Sequence, residues 1–157
     1  MDLRNHGESE HNETMTYEAM ADDVEYLIDN LNLQKTVMIG HSLGGKVAMT
    51  SALRAPESCS ALVVLDIAPI RYQQSFDLLI DAMEAIDVVR LTSRREAERK
   101  LALAIPDAGL HRFLLQNLVH NDKGFRWRVD LASIKANRDF INGFPLGLQE
   151  GKYPGPA

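Results

Sequence analysis

The sequence predicts an α/β fold in which helices cover a sheet of parallel strands. Helical and strand patterns alternate along the first 70 residues, in the order helix, strand, helix, strand. Both strand patterns are short, and the second is a continuous apolar run, which is typical of a strand buried on both faces. A serine flanked by glycines, in Gly40-His41-Ser42-Leu43-Gly44, separates the first strand from the helix after it. This order favours parallel pairing through helical crossovers.

The first half of the chain predicts four elements in sequence. Residues 2–15 are polar and predict a loop. A helix over about 17–31 follows from apolar residues at helical spacing, which are Met20, Val24, Leu27, Ile28 and Leu31. A strand is predicted over 36–39 and a helix over 45–54, which Pro56 ends. The continuous apolar run over 61–66 predicts the second strand.

Beyond Pro69 the pattern changes, and residues from about 73 to 141 predict helices without strands. The apolar stripes are Phe76, Leu79, Ile80, Met83 and Ile86; Leu101 and Ile105; Leu110, Phe113, Leu114 and Leu118; and Val129, Ile134 and Ile141. Glycine and proline in the last residues predict an extended tail. We therefore divide the chain into an α/β core segment, 1–69, a helical segment, 70–145, and a tail, 146–157.

Composition excludes several classes of function. A net charge of −5 argues against nucleic acid or an anionic membrane surface as the main partner. No apolar run is long enough to span a membrane. The single cysteine, Cys59, lies in a polar connection and favours a reducing, cytoplasmic setting. No Cys or His pair has the spacing of metal ligands, so we expect no metal site.

The motif around Ser42 predicts a nucleophile. In G-x-S-x-G motifs a strand turns sharply into a helix, which holds the corner serine in a strained conformation with its side chain clear of the backbone. Glycines at Gly40 and Gly44 remove the Cβ atoms that would clash there. The serine hydroxyl then lies at a helix N-terminus, whose free N–H groups favour the oxyanion of an acyl transfer.

Three segments together resemble a known family. They are Asp2-Leu3-Arg4-Asn5-His6-Gly7, the run from Gly40 to Lys46, and Asp66-Ile67-Ala68-Pro69. They occur in the same order in serine esterases of the α/β-hydrolase fold, most similarly in the bacterial YbfF-type esterases and their abhydrolase-domain-11 relatives. The resemblance implies a partial α/β-hydrolase fold with a helical cap over 70–145. It implies no cofactor.

The resemblance also implies roles for individual residues. Ser42 is the nucleophile, Leu43 supplies a backbone N–H to the oxyanion hole, and Asp66 is the acid of the catalytic triad. A carboxylate at the carboxyl end of a parallel strand suits that role, because open α/β sheets build their sites at this edge. The alternative for Asp66 is that it only caps the turn ahead of Pro69.

The remaining residues of the motifs are predicted to support the site. Gly40, His41, Gly44 and Gly45 shape the corner, and the His41 side chain is expected to point away from Ser42. A role for His41 as general base is the weaker alternative. Asn5 and His6 match a loop near the active-site entrance, where hydrogen bonding is expected, and Lys46 is expected to be structural.

The family pattern extends beyond this chain at both ends. An H-G motif with the other oxyanion N–H precedes it, and further strands with a late histidine follow it. We therefore expect a central fragment of a serine ester hydrolase acting on a small ester or thioester. A complementary polypeptide would supply the missing strands and histidine. The alternative is a non-catalytic remnant or interaction module of the same descent.

Overall fold

The computed structural model describes residues 1–73 and 76–157, and they form two compact units. The α/β unit contains residues 13–74 and 137–157, and the helical unit contains residues 1–12 and 75–136. The boundaries predicted at residues 69 and 145 differ from these. The first twelve residues group with the helical unit, and residues 137–145 group with the α/β unit. The division into core, cap and tail stays a prediction.

Seven helices and four strands are assigned in the described residues. The helices are α1 (Tyr17–Asn30), α2 (Leu43–Arg54), α3 (Asp77–Glu84), α4 (Arg94–Leu101), α5 (Ala108–Leu115), α6 (Leu131–Ala136) and α7 (Arg138–Asn142). The strands are β1 (Thr36–His41), β2 (Cys59–Leu65), β3 (Leu118–Asn121) and β4 (Gly124–Trp127). Single 3-10 turns lie at Pro56–Ser58, Val88–Arg90 and Leu146–Leu148.

The α/β unit is built on the parallel pair β1 and β2, which confirms the predicted fold class. Ile39 lies opposite Val63 in the register of this pair. Helix α2 packs on both strands and on α1, around a core that includes Met38, Met49 and Leu62. Leu31, predicted on the buried face of the first helix, is instead exposed, because α1 ends at Asn30.

The other face of this two-stranded sheet is bare in the described structure. Val37 and Ile39 on β1 are exposed, and so are Val63 and Leu65 on β2. Alternate residues of a strand point to opposite faces, so these four side chains share the face that α2 does not cover. Apolar strands of this kind are normally covered on both faces.

The helical unit has its own apolar core, formed by residues such as Met83, Leu101, Leu114 and Leu118. The prediction that this region lacks strands is wrong, because β3 and β4 form an antiparallel hairpin in which Leu118 lies opposite Trp127. The spacing of Leu118 from Leu114 suits a helix as well as a strand, so the stripe alone did not distinguish them. Gly124, with φ of +105°, follows the two-residue turn.

The chain's last residues lie beside β2. Tyr153 donates its hydroxyl hydrogen to the Cys59 carbonyl oxygen at 2.7 Å, and the Leu62 amide donates to the Pro156 carbonyl oxygen at 3.0 Å. Cys59 is buried as the first residue of β2, so its predicted place in a polar connection is wrong. Among the described helices, none is long and apolar enough to cross a bilayer.

Candidate active site

Ser42 lies at the corner between β1 and α2 and has a backbone conformation that non-glycine residues rarely adopt. Its φ is 50° and its ψ is −118°. Such strain persists only where the surrounding structure enforces it, and it concentrates at functional sites. The Ser42 amide donates to the Leu65 carbonyl oxygen at 3.0 Å, which ties the corner to the end of β2.

The three glycines of the motif are not equivalent. A Cβ atom on Gly40 would clash with the Gly44 carbonyl, coming within 2.5 Å of its carbon. A Cβ atom on Gly45 would lie 2.6 Å from the Ile67 side chain. Gly44 itself has open space, since a Cβ there would meet no atom within 4 Å. The corner therefore requires glycine at positions 40 and 45, whereas the predicted steric reason for Gly44 is wrong.

Helix α2 begins at Leu43 and directs its amino end toward the corner. The Gly45 and Lys46 amides donate to the Ser42 carbonyl oxygen at 2.9 and 3.2 Å. For the Leu43 N–H, no backbone acceptor is found in the described part of the chain, as expected for the first residue of a helix. The Ser42 hydroxyl likewise makes no hydrogen bond that caps the helix. Both groups are thus available to a bound molecule.

Asp66 follows β2 directly and lies at the same sheet edge as Ser42. Its φ is 56°, a left-handed conformation that Asp tolerates better than most residues. Its carboxylate is 90% exposed, and one oxygen lies 3.8 Å from the Nε2 atom of His41. The structure thus brings together Ser42, His41 and Asp66 at the carboxyl ends of two adjacent parallel strands.

Asn5 and His6 belong to the helical unit. Asn5 is fully buried with φ of 66°, and its side chain bonds the Asn12 backbone twice, at 2.7 and 2.9 Å. Its carbonyl oxygen accepts from the Asp130 amide at 2.9 Å. The His6 Nδ1 atom lies 3.0 Å from the Arg4 carbonyl oxygen. Asn5 therefore fixes the loop of residues 5–12, and its place relative to Ser42 stays a prediction.

Lys46 is buried and hydrogen-bonded in a way that the sequence did not indicate. Its side chain is only 2% exposed, and its ammonium contacts three backbone carbonyl oxygens. Burial, and to a lesser degree the nearby charge of Arg71, lower the pKa of Lys46 from 10.5 to about 8. No sequence pattern signals the burial of Lys46, because its hydrogen-bond partners are distant in the chain.

No metal site is evident in the part of the chain that the structure describes, because it contains no cluster of three or more side chains that could ligate a metal ion.

A strained serine at a sharp turn from a parallel strand into a helix is the backbone geometry typical of the α/β-hydrolase fold. The family model for the alpha/beta hydrolase fold matches residues 1–118. The chain therefore belongs to the α/β-hydrolase family.

Its curated relatives include lipases and esterases. The sn-1-specific diacylglycerol lipase ABHD11 of Danio rerio is 40% identical over 163 residues, covering 100% of this chain and 51% of that protein. A putative esterase/lipase of Haemophilus influenzae is 36% identical over 131 residues, covering 82% of this chain and 46% of that protein. The chain thus spans about half the length of the curated relatives it matches.

Solved structures agree with this assignment. A marine microorganism esterase superposes with a TM-score of 0.89 at 36% identity, covering 93% of this chain and 59% of that one. An E-2-(acetamidomethylene)succinate hydrolase superposes with a TM-score of 0.65 at 26% identity, covering 91% of this chain and 55% of that one. The chain is therefore similar to hydrolases of this fold, and specifically to the group of esterases that includes the ABHD11 proteins.

Proposed function

We propose that this chain carries the nucleophile of a serine-dependent carboxylic ester hydrolase. The observation that supports this most is the strained conformation of Ser42, which leaves its hydroxyl without a capping hydrogen bond at the start of α2. The Ser42 oxygen attacks the acyl carbonyl carbon, and the Leu43 N–H donates to the oxyanion. The alcohol or thiol leaves, and water then hydrolyses the acyl-enzyme and restores the serine.

Asp66 is proposed to orient the histidine that takes the proton from Ser42. His41 is the one histidine among the described residues of the α/β unit, and it directly precedes Ser42 on β1. We therefore propose that the general base comes from a complementary polypeptide segment. The bare apolar face of β1 and β2 supports this, since a covering segment would remove that face from water.

The proposed substrate is a small carboxylic ester or thioester. Relatives named diacylglycerol lipase and putative esterase/lipase support the ester class. The chain's net charge of −5 argues against nucleic acid as a partner. Cys59 is a free thiol, buried in β2, which suits the reducing cytoplasmic compartment we propose.

The test begins by sequencing the gene on both sides of this reading frame and expressing the natural gene product. Hydrolysis of p-nitrophenyl acetate is measured for that product and for the 157-residue chain alone. Ser42→Ala is compared with Ser60→Ala, because Ser60 is an exposed serine of the same unit whose hydroxyl only bonds backbone carbonyls. A fluorophosphonate probe identifies the reactive serine in each protein.

The proposal predicts that Ser42→Ala abolishes hydrolysis and labelling, whereas Ser60→Ala leaves both unchanged. Hydrolysis that survives Ser42→Ala would overturn the role of Ser42. A natural gene product without hydrolytic activity would favour the alternative, a non-catalytic remnant or interaction module. Full activity of the 157-residue chain alone would remove the need for a complementary segment.

Acyl transfer to an alcohol is a second candidate reaction at the same serine. An ethanol acetyltransferase of Cyberlindnera fabianii is 34% identical over 128 residues, covering 76% of this chain and 38% of that protein. In this reaction an alcohol oxygen, rather than water, attacks the acyl-enzyme, forming a new ester and releasing the serine hydroxyl. Adding ethanol to the assay and measuring ethyl acetate distinguishes the two reactions.

A further inference from the structure

Lys46 is a buried cation in the first turn of α2, four residues after Ser42. Its ammonium donates to the carbonyl oxygens of Ile70 at 2.9 Å, Gly143 at 2.5 Å and Asn142 at 3.3 Å. An ammonium group has three N–H donors, so these three acceptors satisfy it completely. The acceptors belong to two stretches of chain that are more than 70 residues apart in the sequence.

These two stretches are the exit segment, residues 66–72, which follows β2, and the return segment, residues 141–144, which contains the end of α7. The backbone joins them where the Tyr72 amide donates to the Asn142 carbonyl oxygen at 2.9 Å. Lys46 therefore bridges the exit and return segments at the point where they already meet.

Two tyrosine rings complete the surroundings of the ammonium. The Lys46 Nζ atom lies 5.0 Å from the ring centre of Tyr72 and 5.5 Å from that of Tyr17, within the range of cation–π attraction. Each ring is also held by its hydroxyl. Tyr72 accepts from the Ala68 amide at 3.0 Å, and Tyr17 donates to the Ile141 carbonyl oxygen at 2.6 Å. Both rings thus tie the ammonium to the same two segments.

Placing a lysine here is costly. Among the described residues no carboxylate forms an ion pair with Lys46, and the positive charge of Arg71 further disfavours its charged form. A buried charge held only by carbonyls and rings destabilises a fold compared with an apolar side chain of similar size. A role in positioning other groups would account for a residue that stability alone does not favour.

We propose that Lys46 is a positioning residue that holds the Asp66 loop in register with Ser42. Asp66 begins the exit segment, and Lys46 fixes that segment four residues further on, through the Ile70 carbonyl oxygen. Because the Lys46 amide donates to the carbonyl oxygen of Ser42, the residue that precedes α2, the ammonium sets the distance between the serine corner and the Asp66 loop. This inference rests on the proposed catalytic role of Asp66.

The test compares Lys46→Met, which removes all donors, with Lys46→Gln, which keeps two N–H donors without the charge. Lys123→Met is the control, because Lys123 lies exposed in the hairpin turn of the other unit. Each is made in the natural gene product, alone and combined with Asp66→Asn. Steady-state kinetics on p-nitrophenyl acetate and hydrogen exchange of the Tyr72 and Met20 amides are measured.

We expect Lys46→Met to lower kcat about 10²-fold, as displaced catalytic groups do, with KM changed less than about threefold. The Tyr72 amide should exchange faster, while the Met20 amide, which bonds the Thr16 carbonyl oxygen in α1, is unchanged. In the Asp66→Asn background the Lys46 substitution should cause little further loss, because both act on one group. Lys46→Gln should lie between the wild type and Lys46→Met.

Other results would overturn the proposal in distinguishable ways. In the first case Asp66→Asn lowers kcat, but the Lys46 variants match the wild type or their losses in kcat multiply with that of Asp66→Asn. Lys46 then does not act through Asp66, and the proposed function stands. If Asp66→Asn has no effect, the proposed role of Asp66 fails first. Should Lys46→Met not fold, Lys46→Gln is judged by the same criteria. An unchanged Tyr72 exchange rate in Lys46→Gln would then refute the inference.

Discussion

The Nε2 atom of His41 lies 3.8 Å from a carboxylate oxygen of Asp66. His41 ends β1 in register with Leu65, the last residue of β2, and Asp66 follows Leu65, so the sheet itself brings the two residues to one edge. Their side chains are 63% and 90% exposed, and a contact between polar side chains in water contributes little to stability. The pair is therefore of interest for its position, because both residues lie directly beside Ser42.

Asp66→Asn separates the two candidate roles at this edge. Asn tolerates the left-handed backbone of Asp66, so the substitution removes the charge and leaves the loop intact. If Asp66 orients the general base, kcat of the natural gene product should fall about 10³- to 10⁴-fold. A turn-capping role alone predicts nearly unchanged kcat. Steady-state hydrolysis of p-nitrophenyl acetate measures this.

His41→Gln is the companion of that experiment. We expect kcat to fall by less than about tenfold, because loss of a general base costs about 10²- to 10⁴-fold and we assign His41 a supporting role. The same assay measures it, with circular dichroism as a check on folding. A loss as large as that of Asp66→Asn would instead make His41 the base and contradict our assignment.

Gly40→Ala and Gly44→Ala should have opposite effects on stability. A methyl group at position 40 clashes with the Gly44 carbonyl, and the backbone shift that relieves such a clash costs about 1–3 kcal/mol. At position 44 the methyl group meets open space inside α2, and replacing a helical glycine by alanine contributes up to about 1 kcal/mol. Urea denaturation followed by circular dichroism measures both. Equal effects would show that a methyl group at position 40 does not clash with the Gly44 carbonyl.

Asn5→Ala should destabilise the helical unit far more than Asn32→Ala. Both asparagines have positive φ, 66° and 50°, so both substitutions carry the strain of a left-handed alanine. Only Asn5 is buried with two side-chain hydrogen bonds to Asn12, and losing them adds about 2 kcal/mol. The comparison of urea midpoints isolates that contribution. Similar midpoints would mean that the hydrogen bonds stabilise little.

The lowered pKa of Lys46 predicts that the free energy of unfolding rises with pH. Its pKa is about 8 in the fold and close to 10.5 when exposed. Between these values the unfolded chain binds more protons than the folded chain, so the free energy of unfolding rises with pH. The gain is at most about 1.4 kcal/mol per pH unit. Below about pH 8 the contribution is constant.

The measurement is the free energy of unfolding of the wild type minus that of Lys46→Met, taken from urea curves at about pH 7, 9 and 10.5. Groups far from position 46 titrate alike in both proteins, so they cancel in this difference. The difference between the wild type and Lys46→Met should rise with pH. The difference between the wild type and Lys123→Met should not change with pH. A flat difference would mean that Lys46 is hydrated in the folded protein.

The α/β class and the Ser42 corner could be predicted from sequence because their causes are local. Apolar runs, helical spacing and the glycines beside Ser42 act within a few residues, and they specify β1, the corner and α2 wherever the rest of the chain lies. The motif did not reveal that Gly44 has open space while Gly45 meets Ile67, since that contact joins two separate elements.

Contacts between distant parts of the chain could not be predicted from the sequence. The hairpin of β3 and β4 lies in a region for which only helices were predicted, because strand pairing can override an ambiguous apolar spacing. The partners of Lys46 are 24 and 97 residues away in sequence, and Asn5 accepts a hydrogen bond from Asp130. A sequence pattern reports propensities of neighbouring residues, whereas burial and hydrogen bonding of a single lysine depend on which remote segments fold against it.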